Sequence, residues 1–310
     1  VSSQPDGILV VDKPAGMTSH DVVDEVRKRF DTRKVGHAGT LDPDATGILV
    51  LGLGKATRLL DITQAYPKRY RAEALFGVST TTQDASGDVV ERNPAGDVDA
   101  DRIAAALEAF LGDIEQIPPM VSAVKIDGER LYEKARRGEE VDRPPRAVTV
   151  YAFDLLELTP GDRPTARFDV VCSSGTYVRT LVHDLGAALG SGAHLTSLRR
   201  TEACGFSESD AVPLADVGFG HLRPLLDAIR WLAAVQVDAN GAELVGHGRP
   251  LELGRLRGVG GEQDGAEGES AGEELKGPED GMLLAIVHEG NLLAVYRTEG
   301  DSLVPERVFV

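Results

Sequence analysis

The chain has 310 residues and a mass of 33.0 kDa, enough to bury a substantial core and better suited to one large domain plus a small one than to a single module. Its longest apolar runs, ILVV at 8–11 and ILVLGLG at 48–54, fall far short of the roughly 20 residues that cross a bilayer, which excludes a membrane segment. Two cysteines without a CxxC pair support neither a disulfide framework nor a zinc site; both read as buried small hydrophobes. The opening VSSQPDG lacks the charged and apolar regions of a secretory signal, so a cytoplasmic protein is expected.

A net charge of -17 argues at first against a nucleic-acid partner, because phosphate binding draws on Lys and Arg. The charge is unevenly spread. Residues 262–280 hold eight acids and one Lys, whereas the cations of residues 1–210 come in clusters: Arg27-Lys28-Arg29 with Arg33-Lys34, Lys68-Arg69 with Arg71, Arg136-Arg137 with Arg143 and Arg146, and Arg199-Arg200. Each cluster alone reads as a solvated face; together they leave room for a basic cleft.

In chain order, GILVVD (7–12) predicts a strand, after which Thr18 and Asp21 form a capping-box pattern opening a helix with Val22, Val23, Val26 and Phe30 on one face. GHAGTLDPDATG (36–47) carries three glycines and an Asp-Pro step, which predict an irregular loop rather than helix or strand. Strands follow at 48–53 and 68–77, the latter alternating Tyr70, Ala72, Ala74 and Phe76 against charged residues. An amphipathic helix is predicted over 100–111, stopped by Gly112. Strands at 147–158 and 167–172 precede a helix after Ser174 with Val178, Leu181, Leu185 and Leu189 at core spacing. The lack of a regular βαβ rhythm predicts a mixed α+β fold around a largely antiparallel sheet. Near residue 235 the organisation changes. A helical stretch around Leu225 to Ala234 gives way to short strands and turns over 236–254, a low-complexity acidic insert at 258–281 expected to be disordered, and three closing strands at 283–288, 292–297 and 303–310.

Few residues stand out as chemically able. Asp42 precedes Pro43, which favours extended backbone, and Gly36, Gly39 and Gly47 would let its loop approach a ligand closely; an ordinary Asp-Pro turn explains the same letters, and Asp44 is the alternative carboxylate. Arg179 lies near a helix start, off the apolar stripe, where the dipole disfavours a cation. A partner carboxylate would explain it, and an Arg beside an Asp lowers the acid's pKa by about 1 to 3 units; a surface ion pair is the other reading. Tyr70 and Tyr177 neighbour cations, and aromatic and Arg faces are what a splayed-out base stacks upon. Each is equally suited to packing. His37, His183 and His194 have no metal-ligand spacing. GLGKATR (52–58) fails the phosphate-loop pattern GxxxxGK[ST], so no nucleotide is assigned to it.

Seven segments, taken in order, resemble one family. DKPAGMTSHDVV (12–23), GHAGTLDPDATGILVLGLGKATRL (36–59), KRYRA (68–72), TTQDASG (81–87), IPPMVSAVKIDGERLYEKARRGEEV (117–141), SSGTYVRTLVHDLG (173–186) and GAHLTSLRRT (192–201) are similar to the TruB-type tRNA pseudouridine synthases. The resemblance implies a catalytic domain over 1–234, with a mobile RNA-contacting loop region at 118–146, and a small PUA-like RNA-binding domain over 235–310. It implies isomerisation of uridine 55 in the TΨC stem-loop of tRNA. Asp42 would be the nucleophile or base and Arg179 its ion-pair partner. Tyr70 would stack on the target base, and Tyr177 and Leu198 would line its pocket. His37 would help hold the displaced loop, and Lys13 with Pro14 would buttress the floor. It further implies a monomer that needs no cofactor, no metal and no obligatory protein partner. The chemistry agrees, because moving a base from N1 to C5 attachment neither oxidises nor adds anything. One carboxylate can act at the anomeric carbon, as in retaining glycosidases, and extruding the base costs about a few kcal/mol. Two other readings remain: an RNA-binding or folding factor, suggested by the PUA-like tail, and a guide-RNA-dependent dyskerin-like subunit, which an acidic tail disfavours.

Overall fold

The computed structural model describes residues 5–119, 125–126, 129–130, 143–252, 257–259 and 279–310. Most of the loop region expected at 118–146 and of the insert expected at 258–281 lies outside the described residues.

The chain begins with β1 (Gly7–Lys13), α1 (Ser19–Arg29), the short β2 (Val35–His37) and β3 (Thr46–Leu53). The capping box forms: Asp21 N donates to Thr18 Oγ1 at 3.0 Å and Thr18 N to the Asp21 carboxylate at 2.8 Å. β1 and β3 pair antiparallel from Gly7↔Leu53 to Lys13↔Gly47. Ile8, Val10, Ile48 and Val50 face one core, while Leu9, Val11, Leu49, Leu51 and Leu53 pack with Val22, Val23, Val26 and Phe30 of α1 in another. Both faces are covered, which is why these strands read as continuous apolar runs instead of alternating ones. The segment 36–47 is less irregular than its glycines suggest. Gly36 and His37 belong to β2, and Thr46 and Gly47 open β3; pairing of Gly36 with Gly52 and His37 with Leu51 overrides the local preference.

Next come α2 (Leu60–Gln64), β4 (Lys68–Phe76), β5 (Val78–Thr80), β6 (Val89–Arg92), α3 (Ala100–Leu107) and β7 (Gly112–Gln116). They are followed by β8 (Arg146–Thr159), β9 (Thr165–Cys172), α4 (Val178–Ala188), β10 (Ala193–Ala203), β11 (Phe206–Ser207) and β12 (Val212–Pro213). All of these strands except β5 and β6, which pair with each other, make a ten-stranded sheet in the order β12-β1-β3-β10-β4-β9-β8-β7, with β2 on β3 and β11 on β10. Only the β1–β12 and β3–β10 contacts are parallel, so the sheet is mixed and largely antiparallel, as expected. Tyr70, Ala72, Ala74 and Phe76 of β4 pack beneath Val178, Leu181, Val182 and Leu185 of α4 and Ile103 and Leu107 of α3. One row of the sheet gathers polar side chains: Lys13 pairs with Gly47, Gly47 with Arg200, and Arg200 with Tyr70. Directly paired residues project from the same face, so four neighbouring strands set Lys13, Arg200 and Tyr70 abreast.

The second sheet, of six strands, contains β13 (Ala234–Gln236), β14 (Leu251–Glu252), β15 (Arg257–Val259), β16 (Leu283–His288), β17 (Asn291–Glu299) and β18 (Ser302–Val308), ordered β14-β18-β17-β16-β13-β15. Two expectations fail here. The helical stretch around Leu225 to Ala234 is a 3₁₀ turn at Leu225–Ile229, begun after Pro224 without a side-chain cap. Conversely, 236–254 holds a helix, α5 (Ala239–Gly246), whose N-cap Asp238 accepts from Gly241 N at 2.8 Å. Two glycines in ANGAELVG lower its intrinsic propensity, and only Val245 is fully buried; the cap and that one contact hold it.

GLGKATR supplies the dock between the sheets. Lys55 Nζ donates to Phe309 O at 2.7 Å and Arg58 to Val308 O at 2.8 Å, and the Arg58 guanidinium lies 5.1 Å from the Phe309 ring. In return Arg307 pairs with Asp61, while Ala285, Val287, Leu292, Val295 and Phe309 join the core shared with Ile8 and Ile48.

Candidate active site

Asp42 lies in a segment tied down on both sides. Leu41 N donates to Ser19 Oγ at 2.8 Å, and Ser19 Oγ donates to Leu41 O at 3.0 Å. On the other flank Lys13 Nζ donates to Pro43 O at 2.9 Å, to Pro14 O at 2.8 Å and to Met17 O at 2.5 Å. Further back, Arg200 donates to Gly39 O, Thr40 O and Ile48 O at 3.2, 3.4 and 2.6 Å. Gly47 is required here: its φ is +98°, and a Cβ would come within 2.2 Å of Arg200 O. The loop is thus clamped at residues 39, 40, 41 and 43, and Asp42 is presented between the clamps.

Across from it, Arg179 stands on the first turn of α4 with its side chain 5% exposed. Its Nε lies 3.0 Å from Asp42 Oδ2, and its Nη1 lies 3.1 Å from both Asp84 Oδ2 and Thr82 O. The partner carboxylate that the helix position called for is therefore doubled. Asp84, in the TTQDASG segment, is the residue that sequence reasoning passed over. Its pairing depends on a loop 95 residues away in sequence, seated against β10 by the bridge from Asp84 to Leu195.

The two carboxylates titrate in opposite directions. Burial alone would raise Asp84, but hydrogen bonds from Ser86 and Thr82 and the Arg179 charge outweigh it and hold the acid below its usual range. Burial in the cavity and the nearby Asp84 charge instead push Asp42 up, although Arg179 and Lys13 oppose them. Arg179 does depress Asp42, as its sequence position suggested, but desolvation outweighs it, so the net direction is upward. Burial also pushes the Lys13 ammonium down to about 8.

A cavity of about 340 Å³ opens at Asp42 and is lined by Tyr70, Tyr177, Arg179 and Leu198 among others; it is within the size range of small-ligand sites. Gln116, 2% exposed, brackets the backbone of Tyr177, accepting from its N at 2.9 Å and donating to its O at 3.2 Å. Tyr70 is 7% exposed, and burial raises its phenol. Lys13 is under the loop and His37 is on β2; neither borders the cavity. Asp44, the alternative carboxylate, is exposed. Of the expected cationic clusters, Arg27 pairs with Asp24, Arg29 binds the carbonyls of Leu214 and Val217, Arg69 pairs with Asp169, and Arg199 pairs with Asp12 and Glu208. Lys68, Arg146, Arg179 and Arg200 line the cavity. Among the described residues no helix is long and apolar enough to cross a membrane, and no three His, Cys, Asp or Glu gather as a metal site.

This architecture has close counterparts. A chain in a crystal structure of a Cbf5-Nop10-Gar1 complex superposes with a TM-score of 0.72 at 28% identity, over 99% of this chain and 85% of that one. A chain in an H/ACA RNP bound to a substrate RNA containing 2′-deoxyuridine gives 0.70 at 26% identity, over 98% and 85%. The fold is that of a pseudouridine synthase. The family model for the TruB family pseudouridylate synthase N-terminal domain matches residues 27–178, and that for the tRNA pseudouridylate synthase B C-terminal domain matches residues 179–222. The tRNA pseudouridine synthase B of Symbiobacterium thermophilum is 49% identical over 249 residues, 80% of this chain and 83% of that protein. That of Shouchella clausii is 41% identical over 320 aligned positions, 99% of both. The chain belongs to the tRNA pseudouridine synthase B family.

Proposed function

We propose that the protein isomerises uridine 55 in the TΨC loop of tRNA to pseudouridine, with Asp42 as its essential carboxylate. The observation that carries this is the presentation of Asp42: a loop clamped at four positions sets its carboxylate 3.0 Å from a buried guanidinium, at the mouth of a cavity sized for a nucleoside and walled by Tyr70. A base stacked in the tRNA elbow cannot reach such a cavity unless it is extruded, at a cost of about a few kcal/mol that stacking and phosphate contacts offset. Once there, the base lies against Tyr70 with Tyr177 and Leu198 beside it. Arg179 fixes the Asp42 carboxylate toward the ribose, and Asp84 fixes Arg179. Lys13 holds the floor of the loop, and His37, outside the cavity, faces the displaced tRNA loop. Residues 1–234 serve as the catalytic domain, and the sheet within 235–310 as a PUA-like RNA-binding module. The protein acts alone, as a monomer in the cytoplasm, and uses no cofactor.

Asp42→Asn should abolish pseudouridine formation on an unmodified tRNA transcript while leaving tRNA affinity nearly intact, since the amide keeps the shape and loses the charge. Liquid chromatography of nucleoside digests reads the product, which has the same mass as uridine. Turnover by that variant at the wild-type rate, or pseudouridine on a transcript with cytidine at position 55, would overturn the reading.

A further inference from the structure

The cations around the cavity are not alike. Arg179 is matched by two carboxylates. Arg200, 1% exposed, and Lys68, 4% exposed, make all their described hydrogen bonds from charged nitrogens to main-chain carbonyls: Ile48, Thr40 and Gly39 for the first, Gln64 at 2.8 Å and Tyr66 at 3.1 Å for the second. Burial, helped by the Arg200 charge, pushes the Lys68 ammonium down, and the other groups that bear electrostatically on it are the Cys204 and Cys172 thiols. Burial pushes Cys172 up to about 11 and Cys204 upward too, so both thiols stay neutral and cancel nothing. Burying a cation without an anionic partner is strongly unfavourable. Here the fold buries two side by side, in a protein of net charge -17, and both border the cavity. Neutral donors could stitch the same carbonyls, so hydrogen bonding alone does not account for the charge.

We propose that Arg200 and Lys68 form an anion-stabilising floor for the pyrimidine ring as it detaches from the ribose. This rests on the assigned reaction. It holds for each route open to Asp42. When the C1′–N1 bond breaks, by carboxylate attack at C1′ or after loss of the C2′ proton, the electron pair stays on N1 and spreads to O2 and O4. When Asp42 instead adds at C6, the pair moves to C5 and O4. The ring is then re-attached as C5 donates a pair to C1′; according to route, Asp42 is expelled from C1′, returns the C2′ proton or leaves C6, and the proton that C5 loses balances the one that N1 gains. In every case the ring passes through a negatively charged state. Of the described cations lining the cavity, Arg179 is held by Asp42 and Asp84 and Arg146 is exposed to water, which leaves this buried pair to meet the charge. Fixed charge aimed at developing charge is among the largest contributions a protein makes to a rate. Tyr70 belongs to the same assembly: it is paired with Arg200 across β4 and β10, and the Arg200 charge bears on its phenol.

The test uses single-turnover rates at saturating enzyme on two transcripts, with uridine or 5-fluorouridine at the target position, following loss of the N-glycosidic nucleoside. Fluorine withdraws electrons and stabilises the ring anion unaided. Arg200→Met should slow the uridine reaction by about a hundredfold or more and the fluorouridine reaction at least about tenfold less severely. Arg200→Lys should recover part of the loss. Lys68→Met should show the same asymmetry and carries the test if the Arg200 variants do not unfold cooperatively. Equal losses on both transcripts would overturn the proposal and leave the pair a structural role. A loss of tRNA affinity with an unchanged saturated rate would also overturn it, assigning the charges to a phosphate. If the wild-type protein itself fails to convert the uridine transcript, the fault lies with the assigned reaction and not with the floor.

Discussion

Arg199 and Arg200 are consecutive residues of one strand, yet they occupy two different electrostatic worlds. Arg199 projects to the outer face, 37% exposed, and divides its guanidinium between Asp12 and Glu208. Arg200 projects to the inner face, hydrogen-bonds to carbonyls among the described residues and borders the cavity. The same division runs through the molecule. Arg69 with Asp169 and Arg307 with Asp61 are cancelled by carboxylates and hold strands or sheets together. Among the described residues, cations matched by carboxylates hold the fold together, while Lys68 and Arg200, bonded to carbonyls, border the cavity.

The comparison can be broken or sharpened by substitution. The largest effect is expected at Arg179. Replacing it by Met leaves Asp42 and Asp84 without their common partner, and the saturated rate should fall about a hundred- to a thousandfold, with tRNA affinity changing far less. Asp84→Asn should lower the plateau rate about tenfold, and its pH profile carries the sharper information. In the proposed role Asp42 acts as a carboxylate, and its carboxyl is raised by burial and partly by the Asp84 charge, so wild-type activity should fall on acidification at a pH above the ordinary carboxylate range. Removing that charge lowers Asp42, and the acid limb of kcat should move to lower pH. A limb that stays in place, or moves up, would show that the two acids are not coupled through Arg179. The smallest effect belongs to Arg199→Ala. A half-exposed ion pair contributes less than about 1 kcal/mol, so the denaturant midpoint should hardly shift and the rate should stay within about twofold of wild type. A larger rate loss would mean that the outer arginines also serve the reaction.

Much of this was legible in the letters. The capping box at Thr18, the strands β1 and β3, and the alternation of β4 all follow from local patterning, and the position of Arg179 off its helix stripe suggested a carboxylate partner. Asp84 was not legible, because it meets Arg179 only once the loop of residues 81–87 seats against β10. The fate of Arg200 could have been read. Strand alternation sends adjacent residues to opposite faces, so the Arg199-Arg200 pair was never one surface cluster, and Arg200 shares the face of Leu198. The helix at Ala239–Gly246 was hidden by glycines that its cap outweighs, and the upward push on Asp42 was hidden because desolvation is a property of the assembled cavity.

The clamps on residues 39–43 set a limit for anyone who wishes to move this chemistry. GHAGTLDPDATG by itself does not encode its own shape. The conformation is written in Lys13 and Ser19 upstream, in the absent Cβ of Gly47, and in Arg200 more than 150 residues downstream. Grafted onto another scaffold without Lys13, Ser19 and Arg200, the segment loses the clamps that hold it. Carried with them, it brings most of a sheet.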